Sequence, residues 1–257
     1  MADTPCDGLT QDAFLGGRVM AWQPRQGYRA ATDPVFLAAS VPARPGQSIL
    51  DLGCGAGVAS LCLAARVPKL QIEGVEIQPE YAELARRNAA QNAAALHVVE
   101  ADLEALPADL RVRCFDHVIA NPPYFSPRDP AAQDGGRDRA QREATPLAVW
   151  VDVALRRACD GGYVSFIHLA ERLPDLLAVL NGRASCMVLP LAARASRPAR
   201  RVIVQARKGG RTPFVLLPPL VIHEGAAHPG DGEHFTPVVR ALMRAGASLD
   251  LRAMARG

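Results

Sequence analysis

The nine residues Ile49-Leu50-Asp51-Leu52-Gly53-Cys54-Gly55-Ala56-Gly57 decide the fold. Gln47 to Leu52 is a short apolar run of strand length, three glycines alternate after it, and a helix-like run extends to about Arg66. Strand, glycine turn and helix in that order open a nucleotide-binding α/β unit. The spacing is Gly-x-Gly-x-Gly rather than the Gly-x-Gly-x-x-Gly of dinucleotide sites, and Asp51 precedes it. A carboxylate there repels a pyrophosphate and accepts from an ammonium group, which implies a nucleoside with a cationic, amino-acid-like tail.

Working outward, a second strand over Leu70–Val75 ends at Glu76, 25 residues beyond Asp51 and suited to a ribose diol. A third, Leu96–Val99, leads to Glu100-Ala101-Asp102, where Asp102 can accept from an adenine amino group; a fourth, Phe115–Ala120, runs into Asn121-Pro122-Pro123-Tyr124-Phe125. Polar residues thus arrive at successive strand ends, where ligands bind in open α/β sheets. Helical runs over Leu147–Ala158 and Ala170–Leu180 flank a strand at Gly161–His168, and Ser185–Leu189, Arg201–Ala206, Phe214–Leu217 and Leu220–His223 read as strands. The pattern predicts an α/β fold, a three-layer sandwich around a mostly parallel seven-stranded sheet ending in an antiparallel hairpin. Residues 1–15 carry little pattern and read as a flexible arm, with residues 16–257 as a single domain. Gly16–Tyr28 reads as a small hairpin or cover, and Thr32 or Asp33 as the cap of a helix over Val35–Val41.

Asn121 offers a side-chain carbonyl and Pro122 a backbone carbonyl, so two acceptors can converge on one planar amino group while Tyr124 covers its ring face. Each proline pushes the preceding residue out of the helical region, so this stretch leaves the sheet as a stiff extended turn. An isolated Asn-Pro-Pro is a strand-ending breaker; its place after the other three strand ends gives it a chemical reading. Ser126–Thr145, rich in Pro, Gly and Arg, reads as a mobile loop over the site.

With 257 residues, 49% of them hydrophobic, the chain can bury one sizeable core. No apolar run reaches a membrane span and the opening residues lack a signal peptide, so a cytoplasmic location without membrane contact is expected. Six scattered cysteines form no Cys-x-x-Cys, so reduced, mostly buried thiols and no metal site are expected. Net charge is only +3, yet between Asp175 and Glu224 there is no acidic residue and eight basic ones: Arg183, Arg194, Arg197, Arg200, Arg201, Arg207, Lys208 and Arg211. A one-sign block suits a polyanion; the competing explanation is coding bias, since the chain uses arginine almost to the exclusion of lysine.

The ordered set Ile49–Gly57, Gly74-Val75-Glu76-Ile77, Glu100–Asp102 and Asn121–Tyr124 resembles the class I S-adenosylmethionine-dependent methyltransferases that act on exocyclic or amide nitrogens. Gly27-Tyr-Arg-Ala-Ala-Thr-Asp33, Asn121–Phe125, Gly161-Gly162 with its strand, and Arg197–Val202 with Lys208–Arg211 are similar to the bacterial tRNA1(Val) (adenine(37)-N6)-methyltransferase family. The resemblance implies a Rossmann-like methyltransferase using S-adenosyl-L-methionine to methylate adenine N6 of RNA, with adenosine 37 of a valine tRNA as the expected target. It implies catalytic Asn121, Pro122 and Tyr124. The cofactor would be held by Thr32, Asp33, Asp51, Gly53, Gly55, Gly57, Glu76, Ile77, Asp102, Leu103 and Asn121, and the RNA by Pro123, Phe125, Arg142, Arg200, Arg201 and Lys208. A monomer or weak homodimer is expected. Members commonly have Ala-Arg-His-Glu where this chain has Ala140-Gln141-Arg142-Glu143. Other targets of such motifs are guanine N2 of rRNA, adenine N6 of DNA and a protein glutamine amide. The last usually comes with a helical domain ahead of the glycine turn, whereas about fifty residues precede Asp51 here. A non-catalytic RNA-binding protein of this fold is the alternative from another class.

Overall fold

In the computed structural model, which describes residues 8–124, 145–225 and 234–256, β3 (Ser48–Leu52) lies between β4 (Gln71–Glu76) and β6 (Phe115–Ala120). With β5 (Leu96–Glu100), β7 (Ala158–Leu169), β8 (Ala184–Ala192) and β9 (Arg201–Lys208) these form the seven long strands of one sheet, ordered β8-β9-β7-β6-β3-β4-β5. Only β9 runs antiparallel among them, pairing with β7 on one side and β8 on the other, so the expected hairpin is β8–β9. The runs expected at 214–217 and 220–223 shrink to the two-residue strands β10 (Val215–Leu216) and β11 (Leu220–Val221), which dock on β8 and bring the sheet to nine strands.

Strand residues alternate between two apolar layers because successive side chains point to opposite faces. Ile49, Ile72, Ile119, Ile167, Leu189 and Ile203 pack against helices α1 (Asp33–Ser40), α2 (Val58–Arg66) and α3 (Pro79–Gln91) and the C-terminal segment. Leu50, Val75, Val118, Phe166, Val188 and Val204 pack against the helices Leu147–Arg157 and Leu173–Leu180. Asp51 shares the face of Ile49, which aims it at α2.

Three expectations are corrected. The first fifteen residues are not an arm throughout: Leu9–Phe14 forms β1, paired antiparallel with β2 (Val19–Pro24), so the hairpin begins earlier than Gly16. Buried Asn88 of α3 accepts from Trp22 N at 2.7 Å and donates to Trp22 O and Ala56 O, tying this hairpin to the glycine turn. Thr32 occupies the cap position of α1 but its side chain makes no capping bond, and Asp33, inside the helix, is engaged elsewhere. Cys114 and Cys159 are joined by a disulfide with Cα atoms 4.9 Å apart, because the parallel register of β6 and β7 brings together residues 45 apart in sequence. Cys54, Cys62 and Cys186 are free and buried, as expected. Among the described residues no helix is long and apolar enough to cross a membrane.

Candidate active site

A cleft opens at the carboxyl ends of β3 and β6, where the strand order reverses direction. Its walls include Tyr28, Ala30, Asp51, Gly53, Gly55 and Asn121. The turn after β3 is left-handed at Gly53 (φ 64°) and Gly55 (φ 55°). A Cβ at Gly55 would stand in the cleft, with only Tyr28 Cε1 within 4 Å, at 3.9 Å. Glu76, 6% exposed, holds this turn from behind: its carboxylate accepts from Gly55 N and Gln78 N, both at 2.9 Å. Burial pushes the Glu76 carboxyl above its usual range, against the pull of those N–H groups.

Asp51 is 2% exposed. Ser60 of α2 donates to its Oδ2 at 2.7 Å. Burial pushes its carboxyl up from 3.8 to about 7, with the Ser60 bond opposing and the nearby Glu76 charge adding to the rise. A cationic ligand group placed beside it would favour the ionised form.

Asn121 ends β6. Its Nδ2 donates to the Tyr28 hydroxyl at 3.0 Å, and its Oδ1 is buried without a partner among the described residues. Buried acceptors are nearly always satisfied, so an unsatisfied one facing a cleft marks a place for a donor from a ligand. Tyr28 is itself placed by Tyr81, whose hydroxyl donates to its carbonyl at 3.0 Å. Burial, reinforced by Asp33, holds the Tyr28 phenol well above its usual range, so it stays protonated. Sequence reading missed this role for Tyr28; its one signal was Gly27-Tyr28 ahead of α1. Pro122 is buried and Pro123 half-buried. Tyr124 donates its hydroxyl to Asp33.

The other expected site residues fall elsewhere. Asp102 caps the short turn Leu103–Ala105 through Glu104 N at 2.9 Å, two strands from β3, and with Leu103 it is not on the cleft wall. Ile77, 57% exposed, follows β4, and Gly57 is the cap residue of α2. The Thr32 carbonyl accepts from Val35 N and Phe36 N, and Asp33 accepts from Arg201 Nε at 2.6 Å rather than facing a cofactor. Lys208 lies at the opposite end of the sheet, donating to Ala158 O at 2.8 Å, so it does not reach the site. Phe125 and Arg142, with the loop expected at Ser126–Thr145 up to residue 144, lie outside the described residues.

Residues 31–134 match the family described as Methyltransferase small domain. A protein of Yersinia enterocolitica named tRNA1(Val) (adenine(37)-N6)-methyltransferase is 31% identical over 201 residues, 75% of this chain and 79% of its own length. The chain belongs to that family. A second relative with this name, from Dickeya chrysanthemi, is 33% identical over 194 residues, 73% of this chain and 76% of that one. A crystal structure described as a predicted O-methyltransferase, Atu636 from Agrobacterium tumefaciens, is 29% identical with a TM-score of 0.69, covering 85% of this chain and 98% of that chain. As a tRNA1(Val) (adenine(37)-N6)-methyltransferase family member the chain is a Rossmann-like methyltransferase that uses S-adenosylmethionine. The cleft fits that cofactor: a glycine turn at which a Cβ on Gly55 would stand in the cleft, a buried carboxylate at Asp51, and an orphaned amide oxygen at Asn121.

Proposed function

We propose that this protein methylates N6 of adenine in tRNA, at adenosine 37 of a valine tRNA, and that it works in the cytoplasm as a monomer or weak homodimer. The observation that carries the reading is the buried Oδ1 of Asn121, unpartnered among the described residues and beside the glycine turn, on a side chain whose Nδ2 donates to the Tyr28 hydroxyl. The relatives' names supply the nucleotide and the tRNA.

S-adenosylmethionine supplies an electrophilic methyl group when bound. Asp51 would hold its ammonium tail, Glu76, which keeps the glycine turn in shape, would take ribose hydroxyls, and Gly53 and Gly55 would let the backbone approach it. The adenine amino group has two protons, which Asn121 Oδ1 and the Pro122 carbonyl accept. Those bonds draw the nitrogen lone pair out of the ring and stabilise the positive charge that grows on nitrogen. Tyr124 stacks on the flipped base. The methylated nitrogen sheds a proton to become neutral, so positioning and electrostatics carry the rate.

Nucleoside mass spectrometry of tRNA from cells with and without the protein tests this: loss of N6-methyladenosine is the expected result. A lost ribose 2′-O-methyl instead would favour the hydroxyl chemistry in the Atu636 description, because a hydroxyl has one proton to give and leaves one of the two acceptors idle.

A pH dependence follows from Asp51. Its protonated form, favoured by burial below about pH 7, cannot hold an ammonium group, so cofactor affinity falls by up to about tenfold per pH unit below that point and flattens above it. Calorimetry across pH 5.5–8.5 should show that slope in the wild type and none in Asp51→Asn. For the ligand-free protein the sign reverses. Because the folded value is raised, the group's contribution to stability is fully present below the ordinary aspartate range and lost as pH rises through about 7.

The basic cluster contributes a smaller RNA surface than its count suggests. Arg183 pairs with Asp152, Arg194 is 9% exposed and donates to Gly225 O, and Arg207 donates to Gly161 O. Arg197 and Arg200 are exposed in the loop before β9, whose first residue pairs with Leu169 at the carboxyl edge where the cleft opens. Replacing both with alanine is expected to raise KM for tRNA and to flatten its log–log salt dependence by roughly two, with cofactor affinity unchanged. An unaltered salt slope would count against this RNA surface.

A further inference from the structure

Two prolines fix the backbone leading to Tyr124, but not its ring. Three side chains from distant parts of the sequence do that. The phenol donates to Asp33 Oδ2, the oxygen that also accepts from Arg201 Nε at 2.6 Å. The Arg201 guanidinium carbon lies 5.5 Å from the Tyr124 ring centroid, and His168 meets the ring edge-on at 5.4 Å. Asp33 opens α1 and Arg201 opens β9, so the ion pair joins the two elements that flank the Asn-Pro-Pro-Tyr turn. Asp33 is 9% exposed. Burial, with the Asp33 charge, holds the Tyr124 phenol above its usual range, so it remains a donor. Burial pushes His168 down to about 4, leaving its ring neutral.

We propose that Asp33 and Arg201 are positioning residues that clamp the Tyr124 ring before substrate arrives, and that Arg201 serves methyl transfer through Tyr124 and not by gripping RNA phosphate. The proposal rests on Tyr124 being the base-stacking residue of the reading above. An aromatic ring at the end of an irregular turn would otherwise sample several rotamers, and ordering it would be charged against binding. A planar guanidinium suits the role, since it can donate in its plane to Asp33 while its face covers the ring.

The test uses protein labelled with 3-fluorotyrosine. The chain has four tyrosines, and Tyr124→Phe assigns the Tyr124 fluorine resonance. Arg201→Ala and Asp33→Asn should shift or broaden that resonance, and Arg200→Ala should leave it in place. On unmodified tRNA, Arg201→Ala and Tyr124→Phe should each lower kcat about ten- to a hundredfold with the salt slope unchanged. The double variant should be no worse than the poorer single one, as expected of residues acting as a unit, and Arg201→Lys should recover part of the loss. Tyr124→Phe, which keeps the ring, carries the test if Arg201→Ala fails to fold. A Tyr124 resonance unmoved in Arg201→Ala overturns the proposal. So does an Arg201→Ala enzyme with wild-type kcat, a raised KM and one phosphate fewer in its salt slope. The fluorine spectrum needs no substrate, so a wild-type protein inactive on tRNA would count against the substrate assignment and leave the clamp to the spectrum.

Discussion

Asn121→Ala should fold normally, bind S-adenosylmethionine with nearly wild-type affinity and lose on the order of 10²–10³ in kcat on tRNA. The residue ends β6 in a turn. Its Nδ2 gives up one bond to the Tyr28 hydroxyl, which lines the open cleft and can turn to another acceptor or to water. The Oδ1 makes no bond among the described residues, so its loss costs little in the fold. On the proposed mechanism that oxygen would face a nitrogen gaining positive charge as the methyl group transfers. A preorganised acceptor there is worth far more than the same group in water. Tyr124→Ala should differ in kind: it removes stacking worth about 1–3 kcal/mol, so capture of the base weakens as well. With tritiated cofactor and unmodified tRNA, an Asn121→Ala enzyme retaining more than half its turnover would reduce Asn-Pro-Pro-Tyr to a structural corner.

Gly53→Ala should be the most destabilising single-methyl change at the site. The backbone at Gly53 has φ +64°, where an L-residue pays about 1–2 kcal/mol. The added Cβ would lie 2.5 Å from Trp150 Cη2 and 2.9 Å from its Cζ3. Trp150 is 7% exposed and wedged into the layer beneath the sheet, so the ring cannot swing aside without disturbing the core. Overpacking of this kind adds about 1–3 kcal/mol, for a total of roughly 2–5 kcal/mol. Urea denaturation measures it directly. Gly55→Ala is the informative partner, because its Cβ meets no core atom and stands in the cleft: it should lose less stability and more cofactor affinity. Equal stability of Gly53→Ala and wild type would mean that Trp150 does not buttress the turn.

Much of the site was legible in the sequence because it is written in short local patterns. The strand, the Gly53–Gly57 turn and α2 are one continuous segment, and a parallel sheet delivers the carboxyl end of each strand to the same edge. Asp51, Glu76 and Asn121 could therefore be assigned to one place without knowing the strand order. Asp102 shows what that logic leaves open: strand-end position does not determine where a short side chain turns, and here it accepts from Glu104 N as the cap of the next turn.

What only the tertiary structure decided concerns pairs far apart in the chain. Tyr28 and Asn121 are separated by 93 residues, and Asp33 and Arg201 by 168; nothing local signals that either pair meets. A count of arginines likewise carries no direction. β9 runs antiparallel to β7, so it begins at the cleft edge with Arg201 and ends at the far edge with Lys208, seven positions later. The sequence alone determined that Asp51, Glu76 and Asn121 come to one edge of a parallel sheet. The fold decided which of the chain's charges stand beside them, because that depends on strand direction and on which opposite charge each one meets.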